Sequence, residues 1–108
     1  MGTKYPRETP WGSVQHADKL ADGIYSLSTA SHGGIYLAPY RQLQIGKKSI
    51  WLDSAAFWEE DCDANEPIVF FADELAKAGT VEQKWIEYAK EYVSNALYFK
   101  RIKEEKAA

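Results

Sequence analysis

The chain has 108 residues, a formal net charge of −3, and 45% hydrophobic and 27% charged residues, a balance typical of a globular domain and not of a disordered chain. No apolar run reaches the ~18–20 residues of a membrane span, and the polar first ten residues lack the apolar stretch of a signal peptide. The one cysteine, Cys62, excludes an intrachain disulfide, and its acidic neighbours disfavour a reactive thiolate. We therefore expect a single domain over residues 1–108 in the cytoplasm.

The N-terminal half predicts an antiparallel sheet. Residues 1–10 predict an irregular arm, and residues 13–20 alternate imperfectly as a candidate first strand. Residues 24–29 alternate apolar and polar β-formers after the turn dipeptide Asp22-Gly23. Residues 35–37 are then the next strand, so residues 24–37 predict a hairpin.

The middle of the chain predicts short helices. Pro39 suits the first position of a helix, where no N–H is needed, so residues 40–44 predict one or two helical turns. Residues 47–53 are ambiguous, with a strand as one alternative, and residues 54–63 hold an amphipathic fragment. Residues 67–78 predict a helix that begins at Pro67 and ends before Gly79.

The clearest predicted element is a C-terminal helix over residues 80–104. Thr80 and Gln83 match the capping box, in which two side chains satisfy the free backbone N–H groups of the first turn. Apolar residues then recur every three or four positions. The spacing predicts that the following side chains face the sheet or a second subunit: Trp85, Tyr88, Tyr92 and Phe99. At about 36 Å, this helix is longer than the globule is wide.

Together these elements predict an α+β fold. A small antiparallel sheet of three to four strands is packed against the long C-terminal helix, with one or two short helices from residues 38–78. The arrangement follows because one hairpin cannot bury itself and the apolar helix stripe needs a sheet to cover it.

The segment Ser31-His32-Gly33-Gly34 is the first candidate site. Two glycines allow a positive φ or the close approach of another group, and an imidazole can act as a base, a metal ligand or a donor to an anion. The alternative is a tight hairpin turn with an exposed histidine.

An acidic segment is the second candidate site. Residues 51–79 have eight acids and only Lys77 as a base, a local charge of −7. The candidate partner-binding residues are Trp58, Glu59, Glu60, Asp61, Asp63 and Glu66. Because so many carboxylates cannot be buried unpaired, we expect them at the surface, with Trp58 or Phe57 anchoring the segment from beneath. On a helix, Glu59 and Asp63 would share one face.

Several classes of function lack their sequence signals. The chain has no phosphate-binding loop, dinucleotide fingerprint, nucleophile elbow or zinc-ligand spacing, and no basic-aromatic motif for nucleic acid. We therefore expect no cofactor, no direct nucleic-acid binding and no membrane contact. The acids point instead to a basic protein partner or, less directly, to a metal.

Four ordered motifs carry a resemblance over residues 9–75: Thr9-Pro10-Trp11-Gly12, Gly23-Ile24, Ser28-Thr29-Ala30-Ser31-His32-Gly33-Gly34 and Trp58-Glu59-Glu60-Asp61-Cys62-Asp63. The chain resembles a family of uncharacterised proteins from bacterial plasmids, genomic islands and phages. It departs from that pattern at Ala64-Asn65, where a Trp-Ala pair is expected. The resemblance implies that the protein is encoded by a phage or another mobile element, and it implies no chemical activity.

Three functions follow as alternatives. The first is a non-catalytic protein-binding module of a phage or mobile element, for example an anti-defence (anti-CRISPR-like) inhibitor, which requires acids that face solvent. The second is a metal-dependent enzyme, which requires His32 to meet the carboxylates of Glu59 to Asp63. The third is a structural or regulatory homodimer, which requires an apolar stripe left uncovered on the C-terminal helix.

Overall fold

The computed structural model describes residues 5–46, 55–60 and 63–107, and beyond residue 97 it describes the backbone alone. Within these residues the α+β class is confirmed, with five strands before the first helix and a sixth strand after it. In chain order the elements are β1 (Glu8–Thr9), β2 (Gly12–Ser13), β3 (His16–Ala21), β4 (Ile24–Ser28), β5 (Gly33–Leu37), α1 (Pro39–Ile45), β6 (Phe57–Glu59), α2 (Asn65–Phe70), α3 (Ala72–Ala78) and α4 (Gln83–Ala107). The ambiguous segment 47–53 lies outside the described residues.

The main sheet is antiparallel, in the order β3-β4-β5-β6. The predicted strands 13–20, 24–29 and 35–37 correspond to β3, β4 and β5, while β6 forms where an amphipathic fragment was predicted. In β6, Trp58 pairs with Ile35 and Phe57 pairs with Tyr36, so the two rings lie on opposite faces. Since Glu59 belongs to this strand, it does not share a helical face with Asp63.

The helices cover one face of this sheet and bury the main core. The sheet contributes Leu20, Ile24, Ile35, Leu37 and Trp58, and the helical side contributes Ile45, Ala64, Ile68, Phe71, Ala72, Leu75, Val81, Ile86 and Ala89. Each large side chain buried here is worth about 1.5–3 kcal/mol relative to an exposed one. Leu20 follows His16 and Asp18 on this face of β3, and the register shift between Lys19 and Ala21 pairs Ala21 with Ile24, so that Ala21 also packs against the core.

The opposite face of the sheet is covered by the N-terminal segment. The arm predicted as irregular forms a short hairpin, β1 with β2, closed by the Thr9 hydroxyl, which donates to the Gly12 carbonyl at 2.8 Å. Trp11, at the tip, meets Phe57 edge to face with 5.8 Å between ring centroids. Tyr5 packs on Tyr25 at 5.2 Å. These aromatic contacts give the sheet a second, smaller apolar layer.

The helix predicted over residues 67–78 is two helices. The backbone breaks at Phe71, where φ is −103° and ψ is 21°. The break directs α2 against α4 and α3 against β3. Gly79 ends α3 in the left-handed conformation (φ 70°), and its N–H donates to the carbonyls of Leu75 and Ala76, as expected of a C-terminal glycine.

A buried arginine fastens α1 to α3. Arg41 is 7% exposed, and its guanidinium forms a bidentate ion pair with Glu74. Its Nε also donates to the Asp22 carbonyl at 2.9 Å, and the group lies 5.0 Å from the centre of the Phe71 ring. Burial alone would lower the pKa of Arg41, but the hydrogen bonds and charge of Glu74 outweigh it and raise that pKa above its ordinary value.

The C-terminal helix α4 begins at Gln83 and not at Thr80. The predicted cap does not form, because the Thr80 hydroxyl donates to the Leu20 carbonyl at 2.5 Å and so ties this loop to β3. With 25 residues, α4 is about 37 Å long. The molecule measures 51 × 28 × 26 Å, so the helix extends beyond the width of the sheet, as predicted.

The face that α4 buries matches the predicted apolar stripe only in part. Val81, just before the helix, and Ile86 and Ala89 within it lie in the core, whereas Tyr88 is 59% exposed. Trp85 and Tyr92 are half-buried, and the side chain of Phe99 lies outside the described part. The prediction was wrong for Tyr88 because spacings of three and four fit two adjacent stripes. The helix α4 packs against α2 and α3, and the stripe that it buries is the one that contains Ile86 and Ala89.

Candidate functional site

The Ser31-His32-Gly33-Gly34 segment supports the N-terminal hairpin. The Thr29 hydroxyl lies within hydrogen-bond distance of the carbonyl oxygens of His32 (2.7 Å) and Trp11 (3.1 Å). The Ser31 hydroxyl donates to the same Trp11 carbonyl at 3.0 Å. The two hydroxyls therefore hold the turn that contains Trp11, which gives this segment a structural task.

The two glycines lie in β5 and not in a turn, contrary to the sequence interpretation. Neither has a positive φ, so both are needed for space. A Cβ on Gly34 would collide with the Trp58 carbonyl and lie 2.5 Å from Cη2 of Trp11. A Cβ on Gly33 would lie 2.7 Å from the Leu27 carbonyl and 3.1 Å from Oε2 of Glu60.

His32 is exposed at the start of β5. Among residues 5–46, 55–60 and 63–107, no three histidine, cysteine, aspartate or glutamate side chains come close enough together to hold one metal ion. The described structure therefore does not bring His32 together with the carboxylates of Glu59, Glu60 and Asp63 in the way that the enzyme alternative requires. Asp61 and Cys62 lie outside the described residues.

The acidic segment is distributed over several environments. Trp58 is fully buried, and its Nε1 donates to the Ala55 carbonyl at 2.8 Å, so it anchors the segment from beneath, as predicted, and offers no surface to a partner. Glu66 is 6% exposed, which overturns its expected surface position. Glu66 lies in the first turn of α2, where the helix dipole favours a carboxylate.

Glu59 and Glu60 point to opposite sides of the sheet. Glu59 pairs with Gly34, on the face that carries Trp11. The Glu60 backbone N–H donates to the Gly33 carbonyl at 3.1 Å, and its carboxylate lies over Gly33 on the helix-covered face. Glu60 is exposed, whereas Glu59 and Asp63 are half-buried. Of the predicted acids that the structure describes, Glu60 therefore has the most freely accessible side chain.

Strand pairing places the polar residues of β3 and β4 in two rows on the face of the sheet that carries Glu60. Asp18 is opposite Ser26, and Ser26 is opposite Ile35, so the three share the helix-covered face. In the next row, His16, Ser28 and Gly33 are aligned in the same way. The His16 Nε2 and Asp18 Oδ2 atoms are 3.1 Å apart, and both side chains are exposed. This end of the face is therefore open to solvent.

A cleft of about 250 Å³ opens at this end of the face, between β5, β6 and the start of α4. Its lining residues are Ser26, Gly34, Ile35, Glu60, Ala64 and Trp85. We call it the Glu60–Trp85 cleft. Ile35 and Ala64 are also part of the core, so the cleft adjoins the packed interior.

Three polar side chains of the cleft have no hydrogen-bond partner among the residues that the structure describes. Within the described part of the chain, the Glu60 carboxylate forms no hydrogen bond or ion pair, and neither the Trp85 indole N–H nor the Ser26 hydroxyl is hydrogen-bonded. A carboxylate and an indole that line the same cleft can both attract a cation, the carboxylate by its charge and the ring by its π face. Sequence reasoning found Glu60 but missed Ser26 and assigned Trp85 to the core, since no local pattern joins residues 26, 60 and 85.

Comparison with known proteins identifies the family. Residues 4–107 match the family described as Domain of unknown function (DUF7007). The chain belongs to this family. The expected membership in a family of uncharacterised domains is thus confirmed, while the phage or plasmid origin stays a prediction. No curated protein and no solved structure matches the chain significantly.

Among the described helices of this DUF7007 domain, none is both long enough and apolar enough to cross a bilayer.

Proposed function

We propose that this DUF7007 domain is a non-catalytic protein-binding module that recognises a basic partner through the Glu60–Trp85 cleft. The observation that supports this most directly is the exposed Glu60 carboxylate, which has no partner among the described residues and lines a cleft with a half-buried tryptophan. Tryptophan is enriched among the residues that dominate binding energy at protein interfaces.

The charge distribution supports a basic partner. Residues 51–79 have a net charge of −7, against +3 for residues 1–50 and +1 for residues 80–108. Like charges in one segment add to a field that attracts a basic surface and speeds its approach. Exposed Asp18 pairs with Ser26, a lining residue, and so adds a second carboxylate to the same face of the sheet.

The setting of this function is a further part of the proposal. The resemblance over residues 9–75 is to proteins from phages, plasmids and genomic islands, and such elements often encode small proteins that block host defences by binding them. By analogy, we propose an inhibitor of a bacterial defence protein, anti-CRISPR-like in mode, that acts in the cytoplasm of the host cell. A basic target is consistent with a defence protein that itself binds nucleic acid.

The test is quantitative capture of host proteins on the wild-type domain and on two charge-reversal variants. Glu60→Lys changes the cleft, while Glu87→Lys makes the same charge change at an exposed position of α4 outside the cleft lining. We expect a host protein that is retained by the wild type and by Glu87→Lys and is lost with Glu60→Lys. A partner retained equally by all three would refute the cleft as the binding surface.

Self-association through α4 is a second candidate function, because the helix exposes Tyr88 and Leu97 (59% and 49%). Tyr88 and Tyr92 also pair at 6.2 Å on its surface, beside a shallow pocket that includes Glu91 and Asn95. Sedimentation equilibrium of the wild type and of Leu97→Glu tests this. A dimer that Leu97→Glu dissociates would support it, and a wild-type monomer at high concentration would exclude it.

A further inference from the structure

The Glu60–Trp85 cleft has the size of a site for one side chain. Its volume of about 250 Å³ is below the ~300–1,000 Å³ of typical small-molecule pockets. Its lining includes an indole-bearing residue, Trp85, a carboxylate-bearing residue, Glu60, and the hydroxyl-bearing Ser26. This geometry favours a flat, positively charged group over a round apolar one.

We propose that the cleft is a pocket for an arginine side chain of the partner protein. The inference rests on the proposed function, since it specifies which group of a basic partner enters the cleft. A guanidinium is planar, has five N–H donors and no acceptor, and can stack on a tryptophan while it pairs with a carboxylate through two hydrogen bonds. The cleft offers the matching acceptors, the Glu60 carboxylate and the Ser26 hydroxyl, beside the Trp85 ring.

Gly33 leaves room for the Glu60 carboxylate, the group that would pair with the arginine. The Glu60 N–H is bonded to the Gly33 carbonyl, and Oε2 of Glu60 lies 3.1 Å from the point where a Cβ on Gly33 would be. Any side chain at position 33 would push the carboxylate away from the sheet. The Gly33 position, which was a candidate site residue in the sequence, thus contributes to binding by leaving room for Glu60.

Lysine is a poorer fit to the same cleft. An ammonium is a compact, strongly hydrated charge that cannot stack along an indole or make a bidentate contact with a carboxylate. Citrulline has nearly the shape of arginine but no charge, so it separates the electrostatic contribution from shape. Arginine should therefore bind best of the three.

The experiment is a titration of the full chain with Nα-acetyl-arginine methylamide, followed by ¹⁵N–¹H NMR, with the citrulline and lysine analogues as matched probes. Trp85→Phe assigns the Trp85 indole signal among those of the four tryptophans. We expect saturable shifts of this signal and of the Ser26 and Ile35 amides in the millimolar range with arginine. Lysine and citrulline should bind at least about fivefold more weakly.

The control variant is Glu59→Gln, because Glu59 is the adjacent carboxylate on the opposite face of the sheet. Glu60→Gln should weaken arginine binding roughly tenfold, while Glu59→Gln should leave it unchanged. Equal shifts with citrulline or lysine, unchanged binding in Glu60→Gln, or no saturable shift would overturn the arginine pocket. If the capture experiment still finds a partner that depends on Glu60, the proposed function survives that failure, so the two claims can be separated.

Discussion

The indole ring of Trp11 packs directly over Gly34, with its Cη2 atom 2.5 Å from the point where a Cβ on Gly34 would be. This contact connects the two most distinctive motifs of the N-terminal half, Thr9-Pro10-Trp11-Gly12 and the segment from Ser28 to Gly34. Thr29 and Ser31 complete it with hydrogen bonds to the Trp11 carbonyl. The motifs thus belong to one structural unit, in which the hairpin covers the second face of the sheet.

We expect Gly34→Ala to be among the most destabilising single substitutions in the chain. The added Cβ collides with the Trp58 carbonyl, a backbone atom that cannot move without disturbing the pairing of β5 with β6. Urea denaturation should show a loss of about 3 kcal/mol or more, since overpacking typically costs ~1–3 kcal/mol even where side chains can adjust.

Gly79→Ala is the control for this prediction. Open space surrounds Gly79, so only its φ of 70° opposes a side chain, at about 1–2 kcal/mol. A larger loss for Gly79→Ala than for Gly34→Ala would contradict this account.

Local sequence patterns predicted the strands and helices that depend on residues close together in the chain. The alternation of residues 24–29 and the turn at Asp22-Gly23 identified β4 and its start, and helical spacing identified α4. The glycine pair predicted the close approach of another group, but local patterns could not identify the groups that approach Gly34, since Trp58 and Trp11 are 24 and 23 positions away. A three-residue strand such as β6 is too short for its alternation to be distinguished from a helical fragment.

The second prediction compares three neighbouring positions of α4. Ile86→Ala should cost about 2–5 kcal/mol, since Ile86 is fully buried. Trp85→Ala should cost less, about 1–3 kcal/mol, because half-burial reduces the ~3–5 kcal/mol expected of a core tryptophan. Tyr88→Ala should stay within about 0.5 kcal/mol at its exposed position. Chemical denaturation measures all three, and a loss for Tyr88→Ala that exceeds that of Ile86→Ala would mean that the helix is rotated.

The third prediction concerns the ion pair of Arg41 and Glu74. Glu74→Ala leaves a guanidinium that is 7% exposed without its carboxylate. We expect a loss of about 1–3 kcal/mol, below the full cost of an unpaired buried charge because Glu74 itself is half-exposed and Arg41 keeps its bond to the Asp22 carbonyl.

Asp73→Asn is the control for this pair, an exposed carboxylate on the same helix that should change stability by no more than about 0.5 kcal/mol. The thermal unfolding midpoint of each variant gives the comparison. Equal midpoints for Glu74→Ala and the wild type would show that the pair adds nothing to stability.

The candidate site was only partly accessible to sequence reasoning. Charge counting identified the acidic segment, but burial then separated its members: Glu66 lies inside, Glu60 outside, and Trp58 in the core. Charge alone cannot make that distinction, because it depends on which strand or helix each acid joins. The capping box at Thr80 failed for a similar reason, since its hydroxyl bonds to Leu20, 60 residues earlier.

The most direct test of the central claim is the association rate of the domain with its captured partner, measured at several salt concentrations for the wild type, Glu60→Lys and Glu59→Lys. A basic partner guided by exposed charge should associate more slowly as salt rises, since such charges are screened beyond ~8 Å at physiological ionic strength. We predict that Glu60→Lys slows association at low salt by about tenfold or more and weakens the salt dependence, while Glu59→Lys has the smaller effect. If a folded Glu60→Lys variant binds the partner at the wild-type rate at low salt, the Glu60–Trp85 cleft is not the recognition surface.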